Sequence, residues 1–322
     1  MRGILLVNVG TPSSCDKADV RRFIAAMLSD PYLFGTKEWI ARFLANTVIA
    51  PLSCGKSQEK YKLIWRKKEP KISPIIYHMK QLARALEKRK GIPVEIAMRY
   101  GEPDIKTAFK LLEQKCPLLH EVIVFPLFPQ YAQSTTLTAV EEIGNIFYRH
   151  PYSFRLKIVE PYFDHPDYIN ALVTQARPYI DQDIEKLVFV YHSLPLPQVK
   201  TGWQKGKEFD YVYQLKETNR LFCEKMNIPS QDPLLLYSSQ RSKKWLRPFL
   251  DADIVDLPKL GWKKIAVLAP GFTIDNMETL YDIDIRAREL FMKAGGEKFV
   301  YIPSLNASPI WVEAVWNIIS RV

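Results

Sequence analysis

Six short apolar runs, separated by longer segments of helical period, organise the chain. They are "GILLVNV" (3–9), "VEIAMRY" (94–100), "EVIVFPLF" (121–128), "KLVFVYH" (186–192), "PLLLYSS" (233–239) and "KKIAVLAP" (263–270). Most lack the strict alternation of a sheet that is wet on one face, so they predict strands covered on both sides. Between them, "SPIIYHMKQLARALEKRK" (73–90), "EPDIKTAFKLLEQK" (102–115) and "VYQLKETNRLFCEKM" (212–226) bring apolar residues round every three or four positions and predict helices. Such alternation specifies parallel sheets flanked by helices. It occurs in both halves, which predicts two Rossmann-like α/β lobes, 1–158 and 159–322, joined near "RLKIVEPYFDHPDYI" (155–169). Ligands of such sheets bind beyond the carboxyl ends of the strands. A two-lobed chain is therefore expected to hold its site in a cleft between two sets of strand ends.

Two of those ends carry chemistry. The fourth run finishes in His192, and Pro195 and Pro197 forbid further pairing, so the chain must turn there. A lone histidine at that place is either a core or capping residue or a ligand. The sixth run leads into "PGFTIDNMETLYDIDIRARELFMKAGG" (270–296), where Asp275 or Asn276 can cap a helix and Gly295 and Gly296 end it. Within it Glu278, Asp282 and Arg286 recur at i, i+4 and i+8, opposite Met277, Leu280, Tyr281, Ile285 and Leu290. That pattern alone describes an amphipathic helix with a solvated charged stripe. Glu278, however, falls in the first turn after a strand end, in the same lobe as His192. A histidine and a carboxylate converging from two strand ends can share a proton or bind a divalent metal.

Composition narrows the partners. At 322 residues, 47% hydrophobic and 25% charged, the chain has ample core for two globular domains. Lys and Arg number 45 against 35 Asp and Glu, a surplus that favours anionic partners or serves only to solvate the surface. "WRKKEPK" (65–71) is too short and interrupted to read as a nucleic-acid motif, and no nucleic-acid partner is expected. Neither G-x-G-x-x-G nor G-x-x-x-x-G-K-[ST] occurs, so nucleotide binding has little support. Cys15, Cys54, Cys116 and Cys223 are scattered without C-x-x-C spacing, which fits a reducing cytoplasm and neither a disulfide framework nor a metal cluster. "MRGILLVNVG" reads as a strand and not a signal peptide. No apolar stretch is long enough to span a bilayer. "WIARFLANTVIAPL" (39–52) comes nearest and reads either as a core helix or as an interfacial segment.

Several stretches, in this order, resemble the ferrochelatase family, enzymes that insert ferrous iron into a porphyrin to make haem. "LLVNVGTP" (5–12) is similar to its N-terminal strand and loop, and "PLFPQYAQSTT" (126–136) to its P-x-[FY]-P-Q-Y-[SA] signature. "YHSLP" (191–195) resembles its histidine motif, "DNMETLYDID" (275–284) its E-T-L-x-E-[IL] motif, and "AGGEKFVYIPSLNASP" (294–309) its closing segment. The likeness spans essentially the whole chain. It implies chelatase-type lobes, a porphyrin and ferrous iron as substrates, and His192 with Glu278 as the metal-contacting and proton-accepting pair. It also implies pocket positions for Arg99, Tyr100 and Tyr131, a pocket edge at Tyr61, and an acidic path shortened to Glu278 and Asp282. For Arg99 a structural salt bridge is the competing role, and for Tyr131 a place in the core. Ser13 stands where coproporphyrin-type members often carry tyrosine, which leans to protoporphyrin. Segment 32–53, with Trp39, Ile40, Phe43, Leu44 and Val48, corresponds to an apolar lip that covers the porphyrin, touches an anionic membrane peripherally, or packs on its own lobe. No cofactor beyond the iron substrate is implied. The tail stops at Val322 without a cysteine-rich addition, so no iron–sulfur cluster is expected.

Departures from the family pattern are Ser193 for the usual glycine, Asn276 for a frequent histidine, and Arg286 for the third acid. "YSSQRSKKWLRP" (237–248) lacks the family's glycine, and the arginines that often precede Tyr61 are absent. Two other readings share the fold: a cobalt or nickel chelatase, and a non-catalytic porphyrin or haem carrier.

Overall fold

The computed structural model describes residues 1–34, 38–229, 231–239 and 242–322. All six predicted strands form: β1 (Arg2–Gly10), β2 (Val94–Tyr100) and β3 (Glu121–Pro126) in the first half, β5 (Lys186–His192), β6 (Leu234–Ser238) and β7 (Lys264–Leu268) in the second. Two more complete the sheets, β4 (Arg155–Ile158) and β8 (Lys298–Ile302). Each is an edge strand of four or five residues. β4 has the sequence "RLKI" and stays half-exposed, too short and too polar to read as a covered strand.

The two sheets have one topology, β2-β1-β3-β4 and β6-β5-β7-β8, and every strand pairing is parallel. The most central strands therefore carry the least polar sequences. Leu5, Leu6 and Val7 of β1, and Val188, Phe189 and Val190 of β5, are excluded from solvent. The helices Pro74–Lys90, Ile105–Lys115 and Tyr211–Met226 lie where the period placed them. In the first, Met79, Leu82 and Leu86 form the buried stripe, and Gly91 ends it in the left-handed region that glycine adopts freely.

The chain divides into two compact units, Met1–Pro161 with Ala307–Val322, and Tyr162–Asn306. The expected boundary at 158/159 lies within three residues of the crossover, but the last sixteen residues return to the first unit. The cause is the helix Pro309–Ser320, whose Trp311 is fully buried with its ring 6.2 Å from that of Phe125 in β3. Glu313 of the same helix pairs with Arg89 at 2.6 Å.

Segment 32–53 is helical over Pro31–Phe34, Glu38–Leu44 and a π-helical turn Ala45–Ile49, then runs into Ala50–Ile64. Residues 35–37 of the expected lip lie outside the described residues. Trp39 and Phe43 are 69% and 61% exposed, Leu44 and Val48 are exposed, and Ile40 is half-buried. No helix among the described residues is long and apolar enough to cross a membrane.

Candidate functional site

The second unit brings three strand ends to one point. His192 closes β5, and its register partner in the neighbouring strand is Ser238, the last residue of β6. β7, on the other side of β5, leads through residues 269–277 to Glu278. His192 Nδ1 stands 2.9 Å from Glu278 Oε2 and 3.0 Å from Oε1. The Ser238 hydroxyl donates to the same Oε1. Ser239 adopts φ 58°, a left-handed conformation uncommon for a residue with a side chain. That turn gives Glu278 a second hydroxyl donor.

The Glu278 side chain is 14% exposed and that of His192 32%. Burial pushes the Glu278 carboxyl upward, but the His192 charge and the hydrogen bonds from His192, Ser238 and Ser239 together outweigh it, and the net shift is below the ordinary 4.5. An ionised Glu278 can only accept, so Nδ1 carries a hydrogen. In the neutral ring the lone pair is then on Nε2. Around the pair, Tyr211 donates from its buried hydroxyl to the His192 carbonyl at 3.0 Å, and the Trp245 ring lies 6.4 Å from the imidazole. Ser193, in place of glycine, is fully buried and donates to the Leu246 carbonyl at 3.0 Å. The loop after His192 is thereby tied to the "WLRP" stretch. Gln240 and Arg241, within 237–248, lie outside the described residues.

Glu278 is held from behind. Asn276 does not stand in for a metal-ligating histidine. Its Oδ1 accepts from the Glu278 backbone at 2.8 Å and so caps the helix start. Asp275 is buried and accepts from the Tyr301 hydroxyl at 2.6 Å, the Thr279 hydroxyl at 3.1 Å, the Ser304 backbone at 3.2 Å and the Asn306 amide at 2.7 Å. Asn306, in the left-handed region at φ 51°, returns a contact by accepting from the Asp275 backbone at 2.9 Å. The closing "SLNASP" motif is therefore a brace for the turn that presents Glu278. The helix itself is π-helical over Glu278–Ala287, then α-helical over Arg288–Lys293, and not the regular α-helix that the i, i+4, i+8 pattern predicts. Asp282 is half-buried on it, and Arg286 pairs with Asp251 at 2.8 Å. Among the described residues no group of three or more His, Cys, Asp or Glu side chains is arranged to hold a metal ion.

The remaining predicted positions belong to the first unit. Arg99 and Tyr100 meet at Asp30, whose side chain is 2% exposed. The Arg99 guanidinium reaches Asp30 Oδ2 at 3.0 Å and Thr138 Oγ1 at 2.8 Å. The Tyr100 hydroxyl donates to the same Asp30 oxygen at 2.6 Å. Burial, then the Asp30 charge, raises the Tyr100 phenol far above its usual value. Arg99 is thus engaged in the salt bridge that competed with a pocket role. Tyr61 is buried, with its ring edge-on to Phe23 and Trp65. Tyr131 is half-buried, its phenol raised by burial and by Tyr32, and Ser13 is exposed in the loop after β1. Residue pattern pointed to neither Ser238 nor Asp30 as a site-building group, and offered Asp275 only as a candidate helix cap. The available signals were the "YSS" end of an apolar run and an Asx–Pro step at "SDPY".

Parallel sheets in tandem with a histidine–carboxylate pair at the strand ends define a two-lobed chelatase-type protein. Its fold matches the sirohydrochlorin chelatase SirB from Bacillus subtilis subspecies spizizenii, solved in complex with cobalt, with a TM-score of 0.54 at 13% identity, over 99% of this chain and 94% of that one. The family model for ferrochelatase matches residues 1–322. Ferrochelatase of Pseudomonas fluorescens (strain Pf0-1) is 34% identical over 337 residues, 99% of this chain and 97% of its own. Ferrochelatase of Coxiella burnetii (strain CbuK_Q154) is 34% identical over 334 residues, with 97% and 91% covered. The chain belongs to the ferrochelatase family.

Proposed function

We propose that this chain inserts ferrous iron into a porphyrin, protoporphyrin by the lean of Ser13, with release of two protons. The observation that carries the reading is the His192–Glu278 pair. Insertion requires two pyrrole N–H protons to leave while a hydrated cation loses water. With Nδ1–H on Glu278, the uncharged form of the His192 ring offers its Nε2 lone pair to a proton or to the metal. Glu278 stabilises the imidazolium that results, and its buried, low-lying carboxyl keeps the charge this requires. Two protein donors leave coordination positions for the incoming macrocycle. Arg99, Tyr100, Tyr131, Tyr61, Ser13 and Asp282 are proposed to border the substrate path, Arg99 and Tyr100 by presenting the faces not engaged with Asp30.

The test is His192→Ala. Side-chain truncation of a half-exposed residue is expected to cost the ordinary mutational amount, about 0.5–3 kcal/mol. Loss of a positioned acid–base group lowers the rate about 10²–10⁴-fold. Turnover per folded molecule, followed by absorbance with ferrous iron and protoporphyrin without oxygen, separates these effects. A destabilised but fully active variant would remove His192 from the chemistry.

The reaction is proposed to need no iron–sulfur cluster. Cys54, Cys116 and Cys223 are buried, and burial pushes the Cys15 and Cys223 thiols up to about 11, unfavourable for thiolate ligation. Protein purified without cluster components should lack iron–sulfur absorption, and a stoichiometric cluster would refute this. A cytoplasmic enzyme with reversible contact to anionic membrane through segment 32–53 is the proposed setting, supported by the exposed Trp39 and Phe43.

A further inference from the structure

The cationic surplus of the chain is not spread over its surface. Residues 60–90 contain eleven Lys and Arg against two carboxylates, Glu69 and Glu87, and the rest of the chain is almost balanced, 34 against 33. Some of the eleven are engaged. Lys62 pairs with Glu59 at 2.9 Å, Lys71 with Glu69 at 3.6 Å, and Arg89 and Lys90 with Glu313. Glu87 is taken by Lys115 at 2.9 Å. Lys80, Arg84 and Lys88 are exposed and have no acidic partner among the described residues.

These three stand on one face of the helix Pro74–Lys90, away from its buried Met79, Leu82 and Leu86. A spacing of four residues sets successive charges about 6 Å apart along the axis. The face extends one turn toward the helix start through Tyr77, whose ring carries the Arg66 guanidinium at 3.3 Å. Four cations thus form a row of about 16 Å. Like charges four apart destabilise a helix. Lys80 with Arg84 and Arg84 with Lys88 are two such pairs, and an external anion that bridges them removes the penalty.

We propose that this row docks an acidic helix of a soluble protein partner. Carboxylates at every fourth position of such a helix recur at the same rise of about 6 Å, so each can meet a cation in register. The helix Pro74–Lys90 shows no exposed large apolar side chain. The contact is therefore polar, salt-sensitive and transient, and its charges speed encounter more than they deepen affinity. The direction of the row favours a protein over a lipid surface. Ser73, just before the helix, hydrogen-bonds Thr11, beyond the carboxyl end of β1, at 2.9 Å. Pro93, just after the helix, accepts at 2.9 Å from Ile4, near the amino end of the same strand. The row therefore runs along β1, down the flank of the sheet. Segment 32–53, with the exposed Trp39 and Phe43, instead starts beside Asp30, which Arg99 and Tyr100 hold at the carboxyl end of β2. A bilayer lying on that end meets the row at one tip, whereas a helix can lie along all of it.

The experiment titrates the full chain at low salt with two dye-labelled, alanine-based helical peptides of equal length and charge. One carries glutamates at i, i+4, i+8 and i+12 on one face, and the other distributes four glutamates around the helix. Fluorescence anisotropy is read for the wild type and for Lys80→Gln/Arg84→Gln/Lys88→Gln. Saturable binding of the first peptide is expected, weaker by about fivefold or more for the second peptide and for the triple variant. It should vanish at about 0.5 M sodium chloride. The substitutions remove repulsion, so the melting temperature of the variant should equal or exceed that of the wild type. Cosedimentation with phosphatidylcholine vesicles containing phosphatidylserine should be the same for both proteins. No binding of the first peptide, equal binding of both peptides, or unchanged binding by the variant would overturn the proposal. A lower melting temperature would assign the cations to the fold, and loss of vesicle binding would assign them to a lipid surface, and either result would overturn it as well.

Discussion

Replacing Glu278 by glutamine keeps the shape of the side chain and removes its charge. The wild-type carboxylate accepts from His192 Nδ1 at 2.9 and 3.0 Å and from the Ser238 hydroxyl. Breaking a fully buried ion pair by removing one partner costs about 3–5 kcal/mol, because the surviving charge is stranded. His192 is not stranded to that degree, since its side chain is 32% exposed and water can reach the ring. Glutamine also retains one acceptor and avoids the desolvation of a charged group. A loss of roughly 1–2 kcal/mol follows, against a typical stability of about 5–15 kcal/mol, so the variant stays folded. Turnover should fall far more, by about 10²–10⁴-fold, because the imidazolium loses its counter-charge and Nδ1 its acceptor. The pH dependence carries an independent sign. The folded Glu278 carboxyl titrates below its ordinary 4.5, so the charge contributes stability above that pH and loses it as pH falls through the folded value. The gap in melting temperature between wild type and Glu278→Gln is therefore expected to narrow below pH 4.5. The assays are anaerobic porphyrin absorbance per folded molecule and melting across an acid series. Wild-type turnover in the variant, or a gap that widens on acidification, would refute the reasoning.

Asp275→Asn weakens the brace behind Glu278, and turnover should drop with little change in KM, together with a stability loss of about 1–3 kcal/mol. An unchanged rate in a destabilised protein would assign Asp275 to stability alone. Asp30→Asn removes the shared acceptor of Arg99 and Tyr100 and should lower the melting temperature. An unchanged melting temperature would contradict the network. Trp39→Asp with Phe43→Asp should reduce cosedimentation with anionic vesicles several-fold, and undiminished cosedimentation would show that segment 32–53 is not the contact.

Where the sequence was explicit, one physical signal dominated. The covered strands of both units, such as "GILLVNV" and "KLVFVYH", are nearly continuous apolar runs, and that pattern has few other solutions. β4 and β8 stayed invisible because an edge strand needs only one neighbour and tolerates "RLKI". Trp311 returns the last helix to the first unit through a packing contact with Phe125, 186 positions earlier, and no local period encodes such a contact. His192 and Glu278 were legible because a strand end and a helix start are both marked by proline, glycine and capping residues. Their partners Ser238 and Ser239 were not, since serines at the end of an apolar run read as an ordinary turn. The π-helical path of Glu278–Ala287 also escaped, because charged residues four apart suit either winding.

The repeated topology explains why the chemistry is assigned to one unit. In the first sheet the register pairs Gly10, at the end of β1, with Tyr100 in β2. In the second it pairs His192, at the end of β5, with Ser238 in β6. Gly10 and His192 thus occupy equivalent places at the carboxyl end of a central strand. Gly10 has φ 124°, and a Cβ there would lie 1.8 Å from the Tyr100 carbonyl oxygen, so no side chain can be accommodated. The first unit has closed that position against its neighbour and directs Arg99 and Tyr100 to a buried carboxylate instead. The second unit opens the same position, turns Ser239 through a strained conformation, and sets an acid opposite the imidazole. From one strand order, the first unit has built a closed, self-neutralised strand end. The second has built one that sets a buried carboxylate against an imidazole, which is what the proposed removal of protons from a porphyrin during metal insertion demands.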